Sequence, residues 1–144
     1  MKYEFEIEIN LARNKVIELF DNPENLQKWQ PGFISFDHLE GVKGQPGAKS
    51  KIKYKMGKRD IEMIETIINN NLPDTFLVTY ETGGMWNKVE NYFSEISSDK
   101  TRRKTVNEFK AAGFTKIFIW LMPGAFKKQT LQYMKLFKEF CEKA

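Results

Sequence analysis

Cysteine and histidine are almost absent from this chain. Among 144 residues there is one Cys, Cys141, and one His, His38. No intrachain disulfide can form, and neither a cysteine-type zinc site nor a hydrolytic triad can be assembled from so few groups. No Ser stands in a recognisable nucleophile elbow. Long hydrophobic runs are also missing. The longest, Ile117–Met122, is six residues and stops at Pro123, whereas a membrane span needs about 20. The start, Met1-Lys2-Tyr3-Glu4-Phe5-Glu6, alternates charged and apolar residues and has no signal-peptide core. Nor is one sign of charge in large excess. The net charge of +4 permits weak attraction to anions but does not by itself mark a nucleic-acid binder. The length suits one domain of 1–144 with a core of its own. The expectation is a soluble, cytoplasmic protein, monomeric or weakly dimeric. It needs no cofactor or metal, no nucleic acid and no integral membrane association.

What is present is a change of hydrophobic period along the chain. Tyr3, Phe5, Ile7 and Ile9 alternate with Glu4, Glu6 and Glu8, the pattern of a half-buried strand. Ala12–Phe20 has helical spacing. Asn22-Pro23-Glu24 starts a second helix, with Asn as cap and Pro in the first turn, and Pro31-Gly32 ends it near Trp29. Strands are expected at Phe33–Glu40, Ala48–Met56, Arg59–Asn69, Thr75–Thr82, Met85–Ser97 and Thr101–Ala112. Short turns rich in Gly, Asn and Asp separate them, so neighbours should form antiparallel hairpins. Helix period then returns. Phe114, Phe118, Met122, Phe126, Thr130, Tyr133, Phe137 and Phe140 recur every three to four residues. The stripe keeps its phase through Pro123, which predicts one helix of about 30 residues, kinked or broken at Pro123-Gly124. The fold class is α+β in the order β-αα-β6-α. The final helix is the element long enough to cover the apolar face of a seven-stranded sheet.

The sequence resembles the START/polyketide-cyclase (SRPBCC) superfamily over nearly its whole length. The residues that carry the resemblance are Asn22-Pro23-Glu24-Asn25 running to Trp29-Gln30-Pro31-Gly32, the loop glycines Gly41, Gly44 and Gly47, and Met63-Ile64-Glu65-Thr66. Asn71-Leu72-Pro73, Asn91-Tyr92-Phe93, Thr101 with Asn107-Glu108-Phe109, and the closing Phe137-Lys138-Glu139-Phe140 complete the set. The small stand-alone bacterial members are the most similar in kind. The resemblance implies a helix-grip fold, a curved antiparallel sheet wrapped around the C-terminal helix with a cavity between. It leaves the chemistry open, because members include lipid carriers, hormone and plant-metabolite binders, cyclases and co-chaperone domains. In that fold, residues such as Trp29, Pro31-Gly32 and Met85-Trp86 rim the cavity mouth, or simply pack.

Alternation assigns the faces. Lys104, Glu108 and Lys110 mark the outer side of the last strand, so Arg103, Thr105, Asn107 and Phe109 point inward. The same parity turns Ile52, Tyr54, Met63, Glu65, Val78, Tyr80, Asn87, Val89, Asn91 and Phe93 inward. Apolar walls with a few polar groups are what a small-molecule site requires. The candidate ligand-binding residues are Trp29, Tyr54, Met63, Glu65, Tyr80, Asn87, Val89, Asn91, Arg103, Thr105, Asn107, Phe118 and Met122. The polar ones can equally satisfy one another around water. An inward carboxylate and guanidinium are costly alone, so Glu65 and Arg103 are expected to pair directly, through water or through a ligand. An anionic ligand would favour Arg103. As an acid or base, Glu65 is the candidate, partnered by Asn91 or Tyr80.

Other features read as structural. His38 belongs to a strand edge, and Cys141 is a buried small hydrophobe. The ladder Lys49, Lys51, Lys53 and Lys55 is a solvated sheet face with Asp60 and Glu62 opposite it. The lysines of the final helix form a solvated helix face. Gly41–Gly47 is a mobile lid and no phosphate loop, since it lacks the GK[ST] ending and a following helix. The leading reading is a non-enzymatic binder or carrier of a small hydrophobic or amphipathic molecule. One alternative is an acid–base cyclase/dehydratase-type enzyme using Glu65. The other is a co-chaperone-like protein-interaction module.

Overall fold

A computed structural model of the chain describes residues 1–113, 116 and 122–144. Strand β1 (Lys2–Ile9) is followed by helix α1 (Arg13–Phe20), a 3-10 turn at Pro23–Asn25 and the single-turn helix α2 (Leu26–Trp29). Strands β2 (Phe33–Glu40), β3 (Lys49–Met56), β4 (Arg59–Asn71), β5 (Thr75–Thr82), β6 (Met85–Ser97) and β7 (Lys100–Ala111) come next, and helix α3 (Pro123–Lys143) closes the chain. The expected start of the second helix is there: the Asn22 side chain accepts a hydrogen bond from the Glu24 amide at 3.1 Å, with Pro23 in the first turn. Short hairpins join β2 through β7, and β1 closes the far edge against β7. The result is one antiparallel sheet in the order β1-β7-β6-β5-β4-β3-β2. This is the α+β helix-grip architecture.

Of the two outcomes expected at Pro123-Gly124, a kink or a break, the chain shows the break. Met122 has φ −131° and ψ 50°, outside helical geometry, and α3 starts afresh at Pro123 with 21 residues. Proline at the first position of a helix lacks only an N–H that would have no partner there, so Pro123 begins a helix instead of kinking one. Met122 is 53% exposed and is not part of the packed stripe. Phe114 and Phe118 lie outside the described residues.

Helix α3 grips the β1 and β7 side of the sheet. Tyr3 Oη lies 2.6 Å from Thr130 Oγ1 and donates to the Phe126 carbonyl at 3.2 Å. The Phe109 and Phe126 rings are 5.0 Å apart, and Thr105 Oγ1 donates to Met134 Sδ at 3.4 Å. Towards its C-terminus, Phe137 and Cys141 join Ile9, Val16 and Phe93 in a fully buried cluster, with Phe20 and Trp29 packed against it. At that end α1 and α2 fill the space between sheet and helix. A second cluster, Ala48, Ile67, Phe76 and Val78, lies on β3 to β5 and its flanking loop.

The outer face is a charge lattice. Lys53 lies 3.6 Å from Glu62, and Glu4 and Glu8 of β1 meet Lys104, Lys100 and Arg102 of β7. Trp86 belongs to this outer side, with Lys110 over its ring. The Gly41–Gly47 loop, expected to be a lid, is fastened to β4. The Gly47 amide donates to the Ile67 carbonyl at 2.8 Å, and Asn70 Nδ2 donates to the Gly44 carbonyl at 2.7 Å. Edge residue His38 donates from Nε2 to the Gly41 carbonyl at 2.7 Å.

Candidate functional site

Antiparallel partners share a face, so the register lays out the inner surface as cross-strand rows. One row runs Ser50, Glu65, Tyr80, Asn87, Phe109. The next runs Ile67, Val78, Val89, Asn107, Tyr3. A third holds Phe76, Asn91, Thr105 and Phe5, and a fourth Phe93, Arg103 and Ile7. Ile52 pairs with Met63 on the same side, and Tyr54 follows on β3. Every inward strand residue expected from alternation therefore lies on one continuous face.

The polar members are arranged as two groups. In the first, Glu65 and Tyr80 are direct cross-strand partners, with the phenol near enough to the carboxyl to favour its charged form. Burial pushes the Glu65 carboxyl up to about 7, and the neighbouring Tyr80 hydroxyl only partly offsets it. Burial and the neighbouring Glu65 raise Tyr80 well above the ordinary phenol value, so its hydroxyl stays protonated. In the second group, Arg103 Nη2 donates to Asn91 Oδ1 at 2.9 Å, while Asn91 Nδ2 donates to the Phe76 carbonyl at 3.2 Å. The Arg103 guanidinium lies 5.4, 5.8 and 5.2 Å from the ring centres of Phe20, Phe93 and Phe137. Burial lowers its pKa to about 10, so it remains a cation at neutral pH.

Among the described residues Glu65 and Arg103 form no direct ion pair, and the charge of each acts on the Tyr80 hydroxyl. The register explains this. Glu65 and Arg103 belong to different rows, and parity fixes a face but not a position along it. Asn91 is likewise the partner of Arg103 and not of Glu65.

The remaining candidates fall into place as follows. Asn107 Nδ2 donates to Thr105 Oγ1 at 3.2 Å, linking two inner rows. Asn87 uses its amide on the Glu108 carbonyl at 3.2 Å. Tyr54 Oη donates to Gln30 Oε1 at 2.6 Å, and burial raises its pKa. Trp29 packs edge-on against Tyr133 and Phe137 of α3. Met122 is not on the inner face, and Phe118 lies outside the described residues. Cys141 is fully buried and its thiol is pushed up to about 12 by burial, consistent with a packing role.

Sequence reasoning missed Phe20, Gln30 and Tyr133. Phe20 is the last residue of α1, and its place over Arg103 depends on how that helix docks. The helical spacing of Phe20 was the only available signal.

Met63, Glu65, Tyr80, Asn87, Val89 and Phe109 keep part of their surface open to water although they face the interior. Glu65 and Tyr80 are nevertheless deep enough for burial to dominate their titration. Two recesses of about 370 and 410 Å³ open elsewhere. One lies between α2 and the end of α3, beside Trp29, Leu136 and Phe140; the other lies at the β5–β6 turn.

No protein-family model and no curated protein matches the sequence. Solved structures do match in shape. Ara h 8.0201 superposes with a TM-score of 0.80 at 16% identity, covering 100% of this chain and 99% of its own. The Zhui aromatase/cyclase from Streptomyces sp. R1128 gives 0.81 at 9% identity, covering 99% and 93%. Norcoclaurine synthase from Thalictrum flavum, in complex with dopamine and hydroxybenzaldehyde, gives 0.72 at 16% identity, covering 97% and 85%. At these identities the likeness establishes the fold. These structures are of the Bet v1-like, START/polyketide-cyclase kind, in keeping with the resemblance in the sequence.

Proposed function

On the helix-grip fold that this chain shares with Bet v1-like proteins and polyketide cyclases, we propose that it binds a small hydrophobic or amphipathic molecule between the inner face of its sheet and α3. One observation carries the reading. The inner rows at β4 to β6 combine depth with surface still open to water, at Met63, Glu65, Tyr80 and Val89. A guest covering roughly 300 Å² of apolar surface there would gain roughly 7 kcal/mol before the costs of association. The polar groups of Glu65, Tyr80, Asn91 and Arg103 would fix its orientation. A structure of the same fold holds dopamine and hydroxybenzaldehyde, so this framework accommodates small aromatic molecules.

Native mass spectrometry of freshly purified protein tests the proposal, followed by solvent extraction of any adduct. We expect a co-purifying small molecule, or one-to-one uptake of an apolar probe after extraction. Protein that carries no adduct and takes up no apolar probe contradicts the proposal.

A second reading is favoured by the Glu65–Tyr80 pair. A carboxyl titrating at about 7 exists in both protonation states at neutral pH, which suits a general acid–base group. Glu65 would accept a proton from an activated carbon and return it at oxygen or a neighbouring carbon, as an aldol-type cyclisation and dehydration require. Tyr80, held protonated, would donate a hydrogen bond to the oxygen that gains charge. On this reading Glu65→Gln keeps guest binding and abolishes turnover. Equal turnover in the variant rules it out.

A further inference from the structure

We propose that the guest carries a carboxylate and that Arg103 binds it. The inference rests on the guest-binding reading and specifies the chemical class of the guest.

Arg103 is 8% exposed. Its one hydrogen bond among the described residues goes to Asn91 Oδ1, a neutral acceptor. Its Nε is buried with no partner. No carboxylate of the described residues forms an ion pair with it. The stretch 114–121 contains no Asp or Glu to supply one. On the inner parity, Glu95 lies on the adjoining row but is exposed and forms no ion pair with Arg103 among the described residues, and Glu65 lies three rows away beside Tyr80.

The three aromatic rings around the guanidinium attract the cation. They provide no carboxylate-like acceptor for its N–H groups. A guanidinium has five N–H donors in a planar fork, and most of these are unused here. A buried cation with no counter-ion is a costly arrangement. Two oxygens at the spacing of a carboxylate would satisfy the open donors and neutralise the charge together. Phe93 and Phe137 are themselves buried, and of the three rings Phe20 alone keeps part of its surface exposed, so an alkyl or aryl body on the acid would lie along Phe20. A neutral guest would leave the same donors empty.

Two matched pairs of probes test this: decanoic acid with 1-decanol, and 2-naphthoic acid with 2-naphthalenemethanol. Affinities are measured by isothermal titration calorimetry at pH 8, where both acids are ionised, for the wild type and Arg103→Gln. In at least one pair the acid should bind the wild type about tenfold more tightly than its alcohol. Arg103→Gln should bring the acid to the affinity of the alcohol. Because the variant can fail to fold, the Arg103 Nε–H resonance of ¹⁵N-labelled wild type supplies an independent readout. The acid should shift it downfield and the alcohol should not. Alcohol binding as tight as acid binding, or an unmoved Nε–H under saturating acid, overturns the carboxylate inference and leaves the guest-binding reading standing. Failure of all four probes to bind overturns both.

Discussion

Glu65 couples the site to pH through a sign that can be worked out. The unfolded chain releases its Glu65 proton near the ordinary value of 4.5, and the folded chain near about 7. Between those limits the native state binds more protons than the unfolded state. Stability therefore falls as pH rises through the window, by up to about 1.4 kcal/mol per pH unit and on the order of 3 kcal/mol in all. Glu65→Gln removes this slope. The melting temperature of the variant relative to wild type should rise from pH 5 to about pH 7 and level off by pH 8. A difference that does not change with pH would show that Glu65 titrates as an ordinary exposed carboxyl. The inward placement of Glu65 and Arg103 was legible in the sequence, because alternation with Lys104, Glu108 and Lys110 fixes the face. Their separation was not. It depends on register, which puts Glu65 opposite Tyr80 and Arg103 opposite Phe93. The aromatic surroundings of Arg103 also depend on helix docking, and no local pattern encodes that.

Two elements decide how firmly the sheet holds the helices. The turn from α2 into β2 is tied to β3 by the Lys55 amide, which donates to the Gly32 carbonyl at 2.7 Å. Gly32 has φ +73°, and a Cβ there would collide with the Lys55 carbonyl oxygen. Gly32→Ala should therefore cost about 2 kcal/mol or more, read as a lower urea midpoint with unchanged slope. Helix α3 is anchored by Phe137, which is fully buried and packs on the rings of Phe20, Trp29 and Phe140. Phe137→Ala should lose about 3–5 kcal/mol in the same assay. A loss below about 1 kcal/mol would mean that the cluster collapses around the deletion. The strand limits followed closely from the sequence because each turn has its own chemistry. The start of α3 did not, because the apolar stripe keeps one phase through Pro123 whether that proline kinks a helix or begins one. The backbone of Met122 settles it.

For the whole molecule, the curved sheet and its capping helix carry the account. Sequence order was enough to expect that shape, since six consecutive hairpin-type strands leave one apolar face and only the final helix can cover it. Whether the two layers mesh or stand apart is a matter of side-chain volumes across the gap, which periodicity does not report. Packing is tight where α3 meets β1, β7, α1 and α2. Surface remains open to water at Met63, Glu65, Tyr80, Asn87 and Val89. The central claim is thus an apolar hollow over β4 to β6. The most direct test is a crystal structure of guest-free protein under xenon pressure, because xenon enters apolar cavities without needing a particular guest shape. The account predicts ordered xenon in contact with Met63, Tyr80 and Val89. A crystal in which that face is filled by side chains of α3, with no xenon between sheet and helix, would contradict it.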